Sequence, residues 1–307
     1  MAPAPQNKYE QRAIDLITLL YSCATAFAKG DNELIKKGLE TICNSLVWDD
    51  VGGPLHCLAS SFADALALRV VHPCQGVWRA LHLHKTTPTT ATIAVRRHIT
   101  EMCLFLRHAR TTPNYAIIDV DRSERNVMIH IVDLGGADAS QWKGKAQALA
   151  TRTWADTLLC VPAELSPKLM VVTEQEADHN REFMGRFDDA LNYYRTLFDA
   201  LEESVPARGS AMERSDMERC PLLHEIRDIV ACDGARHWEC YVWMVKWAEQ
   251  MTATGFVSAM MSADAVSQMV MLVQMVTGYS RAYNFSREKD VCCFIHWQDI
   301  LMFYVST

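Results

Sequence analysis

The stretch IHIVDLGGADASQWKGKAQALATR, residues 129–152, decides the fold of this chain. A short apolar run begins there between polar residues, and a stretch compatible with a helix follows at once. This order is typical of the opening of a βα unit in a parallel sheet. The run KLMVVTEQ (168–175), followed by a helical pattern to about residue 203, predicts a second unit of the same kind.

The segments on either side of these units extend the pattern. The first 71 residues predict three helices, with Gly30 ending the first and Asp31 capping the second. After the second unit come three helical patterns and then three apolar runs that suit the last strands of a sheet. These six segments lie near 212–232, 239–252, 262–276, 279–285, 290–297 and 301–305.

Alternating helices and buried strands indicate an α/β fold. We expect a Rossmann-like, methyltransferase-like core with a parallel or mixed sheet, preceded by an N-terminal helical cap. The predicted domains are a helical cap over residues 1–110 and an α/β core over residues 111–307. With 50% hydrophobic residues among 307, the chain is long enough to bury such a core.

The composition predicts a protein from a reducing compartment with no membrane span. The chain has 11 cysteines but no CxxC pair, and its N-terminus lacks the apolar region of a secretory signal. The longest apolar run, residues 13–28, is broken by Asp15 and is shorter than the ~20 residues that a membrane span needs.

Charge is distributed unevenly along a chain with a net charge of −7. Residues 65–110 carry seven Lys and Arg residues, Arg69 among them, against the single acid Glu101. A solvated surface is one interpretation of this stretch. The other is a surface for phosphate or an acidic partner. The residues chosen for this basic patch are Arg96, Arg97, Arg107 and Arg110.

Several runs resemble the GRAS family of plant transcriptional regulators, and most closely its gibberellin-linked SCARECROW-like branch. The VHIID motif of that family is present in altered form, and a glutamine–tryptophan pair follows it. The residues that match are Ile129, His130, Ile131, Val132, Asp133, Gln141 and Trp142.

Further runs extend this resemblance over nearly the whole chain. The first leucine-rich region of the family resembles residues 19–31 and 52–70, with Cys23, Ala24 and Arg69 at matching positions. Downstream matches lie at 166–180, 193–202, 225–234, 255–256 and 297–306.

The chain departs from the family pattern in three places. Only residues 153–165 separate the VHIID helix from the VVTEQ strand, so some central strands of the sheet are expected to be missing. The charged cluster after the CEG turn of the family has become residues 235–242, which carry little charge. The terminal motif has Ile300 in place of its arginine and lacks its last tryptophan.

The resemblance implies a transcriptional regulator that is not an enzyme and acts through protein contacts in gibberellin or developmental signalling. It implies other GRAS-type regulators and zinc-finger DNA-binding proteins as partners, and a location in the nucleus and also the cytoplasm. Direct DNA binding is expected to be weak, because the net charge is negative and phosphate contacts supply most non-specific affinity. A shortened chain also admits a regulator that occupies partners without activity.

The alternative is a small-molecule binder or methyltransferase on the same fold. Asp133, Gly135 and Gly136 lie where such an enzyme places the acidic, glycine-containing turn that binds S-adenosylmethionine. The strand that would carry the ribose-binding acid is part of the segment expected to be missing. We therefore predict no cofactor, and keep S-adenosylmethionine as the weaker hypothesis.

The remaining polar and sulfur-containing groups predict structural roles. A polar cluster follows a strand end and could hold a metal ion or supply a general base; it consists of Glu174, Glu176, Asp178, His179 and Asn180. We favour instead a structural role, in which Asp178 or Asn180 is the N-cap of the next helix. His82 and His84 with Cys74 fit no metal spacing, and His130 is expected to be a satisfied core residue. The methionines of the last helix predict adaptable core packing, with a protein-binding face as the alternative. These are Met260, Met261, Met269, Met271 and Met275.

Overall fold

The structure is a computed structural model that describes most, but not all, of the chain. The described residues are 5–47, 54–74, 76–77, 104–124, 131–133, 148–150, 167–204, 222–234, 237, 240–276, 283–288, 292–297 and 300–306.

Eight helices and six strands have defined bounds in the described residues. The helices are α1 (Pro5–Lys29), α2 (Asn32–Val47), α3 (Pro54–Val71), α4 (Leu104–Glu124), α5 (Phe183–Ser204), α6 (Leu223–Ala231), α7 (Met244–Ala253) and α8 (Ala263–Val276). The strands are β1 (Ile131–Asp133), β2 (Ala148–Ala150), β3 (Val172–Gln175), β4 (Tyr283–Glu288), β5 (Cys292–Trp297) and β6 (Ile300–Ser306).

The chain divides into two compact units. The first contains residues 1–103 and 177–241, and the second contains residues 104–176 and 242–307. The helix α4 runs without interruption through residue 110, where the predicted helical cap ends.

The first unit is helical, and aromatic side chains of α3 and α5 form its centre. Phe62, Phe187 and Tyr194 are fully buried. The ring of Phe62 meets the rings of Phe187 and Tyr194 edge to face, with centroids 5.5 and 6.4 Å apart. Such pairs add about 0.5–1.5 kcal/mol each beyond the burial of their area. The sequence predicts that one apolar stripe of α5 is buried, and all its members except the half-buried Phe183 are buried; the stripe consists of Phe183, Phe187, Leu191, Tyr194 and Phe198.

The turn between α1 and α2 follows from two adjacent residues. Gly30 has φ of +74°, a left-handed conformation that glycine adopts without steric cost. The Asp31 carboxylate then accepts a hydrogen bond from the Leu34 amide at 3.1 Å, which satisfies a free donor in the first turn of α2. Both predictions for these residues are confirmed.

The second unit contains all the described strands. β3, β6, β5 and β4 lie in that order in an antiparallel sheet, with Val172 opposite Ser306 and Phe294 opposite Tyr304. β1 and β2 form a separate parallel pair. Helix α7 packs on the sheet through Trp247 and Val172.

The α/β prediction holds at the level of its elements. The first three helices, the long helix α5 and the three terminal strands lie where the sequence predicts them. The described part of the chain is mostly helical, however, and its larger sheet is antiparallel. A Rossmann-like arrangement is not established by these strands.

Three local predictions were wrong. The sequence predicts a helix that carries Ile99, Met102 and Leu106, whereas α4 continues through Pro113 to Glu124. Ala148–Ala150 form β2 instead of helix, because β1 supplies parallel backbone partners. The sequence predicts a buried stripe of Ile14, Ile17, Tyr21, Ala24 and Ala28 for α1. Ala24 is buried as predicted, but Ile14 is 57% exposed, Ala28 is exposed, and Leu20 and Cys23 are buried beside Ala24.

Candidate functional site

The family motif lies only partly in the described residues. Ile131, Val132 and Asp133 form β1, paired in parallel with Ala148–Ala150. Ile129, His130, Gln141 and Trp142 lie outside the described residues. Gly135 and Gly136, the glycines of the weaker cofactor hypothesis, also lie outside them, so that hypothesis stays a prediction.

The predicted basic patch is similarly divided. Arg107 and Arg110 belong to α4, where a spacing of three residues places them on neighbouring positions of one helix face. Arg96 and Arg97 lie outside the described residues. The patch therefore remains a hypothesis.

Arg69 belongs to the basic stretch of the sequence but contributes no surface charge. Its side chain is 9% exposed, and its guanidinium donates to the Val230 carbonyl at 3.0 Å and to the Asp233 carboxylate at 2.8 Å. It also lies over the rings of Phe27 and Phe183, at 4.9 and 4.3 Å from their centroids. Arg69, which was not among the residues chosen for the basic patch, is therefore an internal residue of the first unit.

Asp233 joins two buried arginines. Its second carboxylate oxygen accepts a hydrogen bond from Arg186 at 2.6 Å, so Arg69 of α3 and Arg186 of α5 share one acid. Burial alone would raise the pKa of Asp233, but the hydrogen bonds from Arg186 and Arg69 outweigh it and hold that pKa below its usual range. These three residues, termed the Arg69 node, join α3, α5 and the turn after α6.

A second ion pair joins the same helices. Arg227 of α6 donates to the carboxylate of Asp64 in α3. In addition, the Tyr194 hydroxyl of α5 donates to Glu225 of α6 at 3.0 Å. Charged groups that are largely buried persist only when paired. The helices α3, α5 and α6 are therefore held in one arrangement by groups remote in sequence.

The polar cluster after β3 is used for packing. Glu174 accepts a hydrogen bond from the Trp247 indole nitrogen at 2.6 Å, and Glu176 accepts one from the Met244 amide at 2.9 Å. Both glutamates therefore fix α7 against β3, and Glu176 satisfies a donor at the start of α7. Burial raises the pKa of Glu176, and the Met244 hydrogen bond opposes that shift.

The expected N-cap role of Asp178 or Asn180 was wrong. Helix α5 begins at Phe183, so Glu182 directly precedes it. Asp178 instead accepts from the Asn180 amide at 3.2 Å in a local turn. The Asn180 side chain donates to the Cys240 and Tyr241 carbonyls at 3.2 and 3.1 Å. These residues join two loops, a role that their sequence spacing does not reveal.

His237 is a buried residue that the sequence analysis assigned no role. Its Nδ1 lies 3.2 Å from the Asp228 carboxylate, and its Nε2 lies 2.9 Å from the His179 carbonyl. Burial lowers the pKa of His237, but the hydrogen bond to Asp228 and the neighbouring Cys240 raise it to about 10. The imidazolium thus stays charged at neutral pH and anchors the loop after α6.

The methionines near α8 divide into two groups. Met261 and Met269 are buried beside Ala265 and Val266, as the packing prediction requires. Met260, Met271 and Met275 are 74, 60 and 65% exposed. The prediction of core packing is therefore confirmed for the first group and wrong for the second.

An open groove lies between α1 and the start of α2. Its volume is about 370 Å³, and exposed apolar side chains, Ile14 and Leu34, lie in the same two elements. The groove, termed the α1/α2 groove, is lined by Thr18, Tyr21, Ser22, Thr25, Ala26, Lys29, Asp31 and Leu34.

The part of the chain that the structure describes holds no cluster of three His, Cys, Asp or Glu residues suited to a metal ion. Cys74 is exposed, while His82 and His84 lie outside the described residues. Among the helices with defined bounds, none has the length and apolar character to cross a membrane.

A family comparison supports the resemblance that the motifs indicated. The model of the GRAS domain family matches residues 16–163 and residues 153–307. This chain belongs to the GRAS domain family. Residues 153–163 fall in both matched stretches. The expected shortening after the VHIID helix stays a prediction.

Individual GRAS relatives agree with this assignment. GRAS family protein TF80 from Medicago truncatula is 22% identical over 430 aligned residues, which cover 97% of this chain and 96% of TF80. DELLA protein GAI from Arabidopsis thaliana is 22% identical over 94% of this chain and 67% of its own length. Scarecrow-like protein 3 from the same plant is 36% identical over 46% of this chain and 29% of its own length.

A solved structure shows the same fold. The crystal structure of SCL7 from Oryza sativa matches with a TM-score of 0.73 at 20% sequence identity. The match covers 95% of this chain and 98% of that one. The chain therefore has the fold of a GRAS protein.

Proposed function

We propose that this chain is a GRAS-type transcriptional regulator that acts through protein contacts in gibberellin or developmental signalling. The observation that carries the proposal is the α1/α2 groove, because exposed apolar side chains, Ile14 and Leu34, lie in the two helices that form it. A groove between two formed helices presents an ordered surface, which lowers the entropic cost of binding. The relatives, with DELLA and SCARECROW-like proteins among them, support the class of regulator.

Other GRAS-type regulators are the first class of partner that we propose. Zinc-finger DNA-binding proteins are the second, and the nucleus is the proposed location, with the cytoplasm in addition. These finer assignments rest on family membership. We also propose that residues 1–110 act as the cap and residues 111–307 as a Rossmann-like core.

A co-precipitation experiment with full-length Scarecrow-like protein 3 tests the proposal. The wild-type chain is expected to retain this partner, and Leu34→Glu is expected to weaken retention at least 10-fold, because a buried unpaired charge costs more than about 1.4 kcal/mol. Asn44→Glu adds the same charge at an exposed position of α2 and should leave binding unchanged. Equal binding by all three chains would place the contact elsewhere.

A second candidate function is kept because Asp133 lies at the end of β1. We propose that S-adenosylmethionine binding, if the chain has it, uses Asp133, Gly135 and Gly136. Calorimetry with millimolar S-adenosylmethionine decides the matter: measurable heat supports this function, and its absence removes it.

Direct DNA binding is proposed to be weak and to use Arg96, Arg97, Arg107 and Arg110. Replacing all four by alanine should reduce affinity for duplex DNA and flatten its dependence on salt. Unchanged affinity would exclude this patch.

A regulator that occupies its partners without activity is the third possibility. In that case the chain would bind a full-length relative and lower the output of a reporter gene that the relative drives. A reporter output that rises instead would contradict it.

A further inference from the structure

Cys240 lies half-buried in the loop after α6, and its thiol is held against His237. The Cys240 Sγ donates to the His237 carbonyl at 3.4 Å, and it is also within hydrogen-bond reach of the His237 ring. The Cys240 carbonyl accepts a hydrogen bond from the Asn180 side chain at 3.2 Å. Both the side chain and the backbone of this cysteine are therefore held in place, while part of the residue stays open to solvent.

The contacts of the His237 ring define its protonation state. Its Nδ1 lies 3.2 Å from the Asp228 carboxylate, and its Nε2 lies 2.9 Å from the His179 carbonyl. A carboxylate and a carbonyl accept hydrogen bonds but donate none, so only a ring with a proton on both nitrogens satisfies the two contacts. The raised pKa of His237, about 10, agrees with this arrangement. The ring beside Cys240 is therefore a fixed cation.

A cysteine beside a histidine has two common uses, and the contacts of His237 distinguish them. In a cysteine hydrolase, the histidine ring accepts the thiol proton and later returns it to the leaving group. Both nitrogens of His237 already donate to oxygen atoms, so the ring is not available for this exchange. A fixed positive charge instead stabilises the negative charge that develops on sulfur during attack on an electrophile. The cluster is therefore suited to a single chemical modification of Cys240 and not to turnover.

The partial burial of Cys240 favours a small reagent. Hydrogen peroxide is small and uncharged, and it oxidises thiols that are accessible and electron-rich. In the reaction a sulfur–oxygen bond forms and the oxygen–oxygen bond of the peroxide breaks. The sulfur loses two electrons, which the peroxide gains, and the thiol proton leaves with the released hydroxide as water.

We infer that Cys240 is a peroxide-sensitive modification site, at which hydrogen peroxide converts the thiol to a sulfenic acid beside the His237 cation. The inference goes beyond the proposed function and does not depend on the α1/α2 groove. Oxidation places an oxygen atom between the sulfur and its hydrogen, so the contact of 3.4 Å with the His237 carbonyl must change. The modification therefore acts on the loop at residues 240–241, which Asn180 holds through two carbonyls.

Sulfenic acid formation in the reduced, full-length chain tests the inference. The chain is treated with hydrogen peroxide at neutral pH in the presence of dimedone, a carbon acid that forms a thioether with a sulfenic acid and releases water. Mass spectrometry of the digested chain gives the labelling rate of each cysteine. We expect Cys240 to be labelled about 10-fold faster than the exposed Cys43 and Cys74, which corresponds to about 1.4 kcal/mol of transition-state stabilisation. The buried Cys23 and Cys232 report unfolding, because they react only when the chain opens.

Substitution of His237 separates the effect of the charge from the effect of exposure. His237→Gln removes the cation and should lower the labelling rate of Cys240 about 10-fold, to the rate of Cys43 or below. Asp228→Asn weakens the support for the charged ring and should give an intermediate rate. His56→Gln is the matched control, because His56 is a half-buried histidine of α3 in the same unit. Its replacement should leave the labelling rate of Cys240 unchanged.

A pair of alkylating reagents provides a second readout that needs no substitution. Iodoacetate and iodoacetamide both form a carbon–sulfur bond and release iodide and the thiol proton, but only iodoacetate is an anion. A cation beside the sulfur attracts the anionic reagent. The ratio of the iodoacetate rate to the iodoacetamide rate should therefore be higher at Cys240 than at Cys43, and high salt should reduce the difference. This comparison decides the matter if His237→Gln exposes Cys23 and Cys232.

Equal labelling rates for Cys240 and Cys43 in the wild-type chain would overturn the inference. The same holds for a His237→Gln chain that keeps Cys23 and Cys232 protected but labels Cys240 at the wild-type rate. Equal reagent ratios at Cys240 and Cys43 would also contradict it, because a cation beside only one of the two sulfurs must distinguish them.

Discussion

Arg69 and Asp233 form an ion pair of 2.8 Å across 164 residues of sequence, and that pair joins α3 to the turn after α6. Arg69 is enclosed by two phenylalanine rings, while Asp233 is 56% exposed and also binds Arg186. The arginine is therefore the buried partner, and the loss of each partner has a different consequence. Truncating the arginine also removes packing, whereas neutralising the acid leaves two buried cations without a counter-charge.

We expect Arg69→Ala to destabilise the first unit by about 3 kcal/mol, because it removes a buried ion pair, a hydrogen bond to Val230 and two cation–π contacts. Urea unfolding followed by circular dichroism measures this loss. Arg181→Ala is the control, since Arg181 is 45% exposed and pairs with Asp189 at 3.2 Å. Exposed pairs contribute about 0–1 kcal/mol. Similar losses in the two variants would contradict a special role of the Arg69 node.

The position of Gly38 in α2 depends on Cys23 of α1. The buried Cys23 sulfur occupies the space in which a Cβ on residue 38 would lie. Gly38→Ala should therefore destabilise the chain by about 1–3 kcal/mol, the usual cost of overpacking a core. In a Cys23→Ala background the clash is gone, and the same substitution should stabilise α2 by up to about 1 kcal/mol through helix propensity.

A double-mutant cycle measured by urea unfolding checks the Gly38 prediction. Its signature is a change of sign: Gly38→Ala is unfavourable with Cys23 present and neutral or favourable without it. Additive effects of the two substitutions would show that α1 and α2 do not approach so closely at this point.

Local patterns in the sequence predicted the first three helices, the long helix α5 and the terminal strands, but not the arrangement of the sheet. Helix caps and periodicity depend on neighbours within a few residues, so Gly30, Asp31 and the buried stripe of α5 could be read directly. The same rules could not place Arg69, because its partner lies 164 residues away and only the folded chain brings them together. A charge count along the sequence only includes Arg69 among the basic residues of 65–110 and does not reveal its buried acid partner.

The candidate sites were predictable to a smaller extent. The methionines near α8 were identified as a group, but their division between core and surface depends on how α8 packs against α4. Asp178 and Asn180 carried the residue types of a helix cap, yet the loop at residues 240–241 provided other partners. His237 lies in a stretch with no recognisable pattern, and its role arises from contacts with Asp228 and His179.

Glu176 gives the second unit a dependence on acidic pH. Its pKa is raised by burial, so ionisation costs more in the folded chain than in the unfolded one. The contribution of Glu176 to the free energy of unfolding is most favourable below the unfolded pKa of 4.5, and it is lost as pH rises through the folded pKa. Glu176→Gln keeps an oxygen acceptor for the Met244 amide without ionising. We expect a higher urea midpoint than wild type at pH 7 and an equal one at pH 4.

Glu249→Gln is the control for Glu176, because Glu249 lies exposed on α7. It removes the same charge in the same unit. The difference between its urea midpoints at pH 7 and pH 4 should equal the difference for wild type. If both variants respond alike, the effect belongs to net charge and not to the burial of Glu176.

The stability of the first unit should fall at alkaline pH because of His237, whose charged form is favoured in the folded chain. Burial lowers its pKa, but the Asp228 hydrogen bond and Cys240 raise it to about 10, against 6.5 in the unfolded chain. The charged imidazolium therefore stabilises the fold fully below pH 6.5, and this contribution falls as pH rises towards 10.

The free energy of unfolding should fall between these pH values with a slope of up to about 1.4 kcal/mol per pH unit. In His237→Gln the slope should be absent, and subtracting its unfolding free energies from those of wild type at each pH isolates the contribution of the histidine. Asp228→Asn should give an intermediate slope, because the strongest support for the charged ring is weakened while the backbone contacts of the ring remain. A wild-type slope that matches His237→Gln from pH 6.5 to 10 would mean that the ring is neutral when the chain is folded.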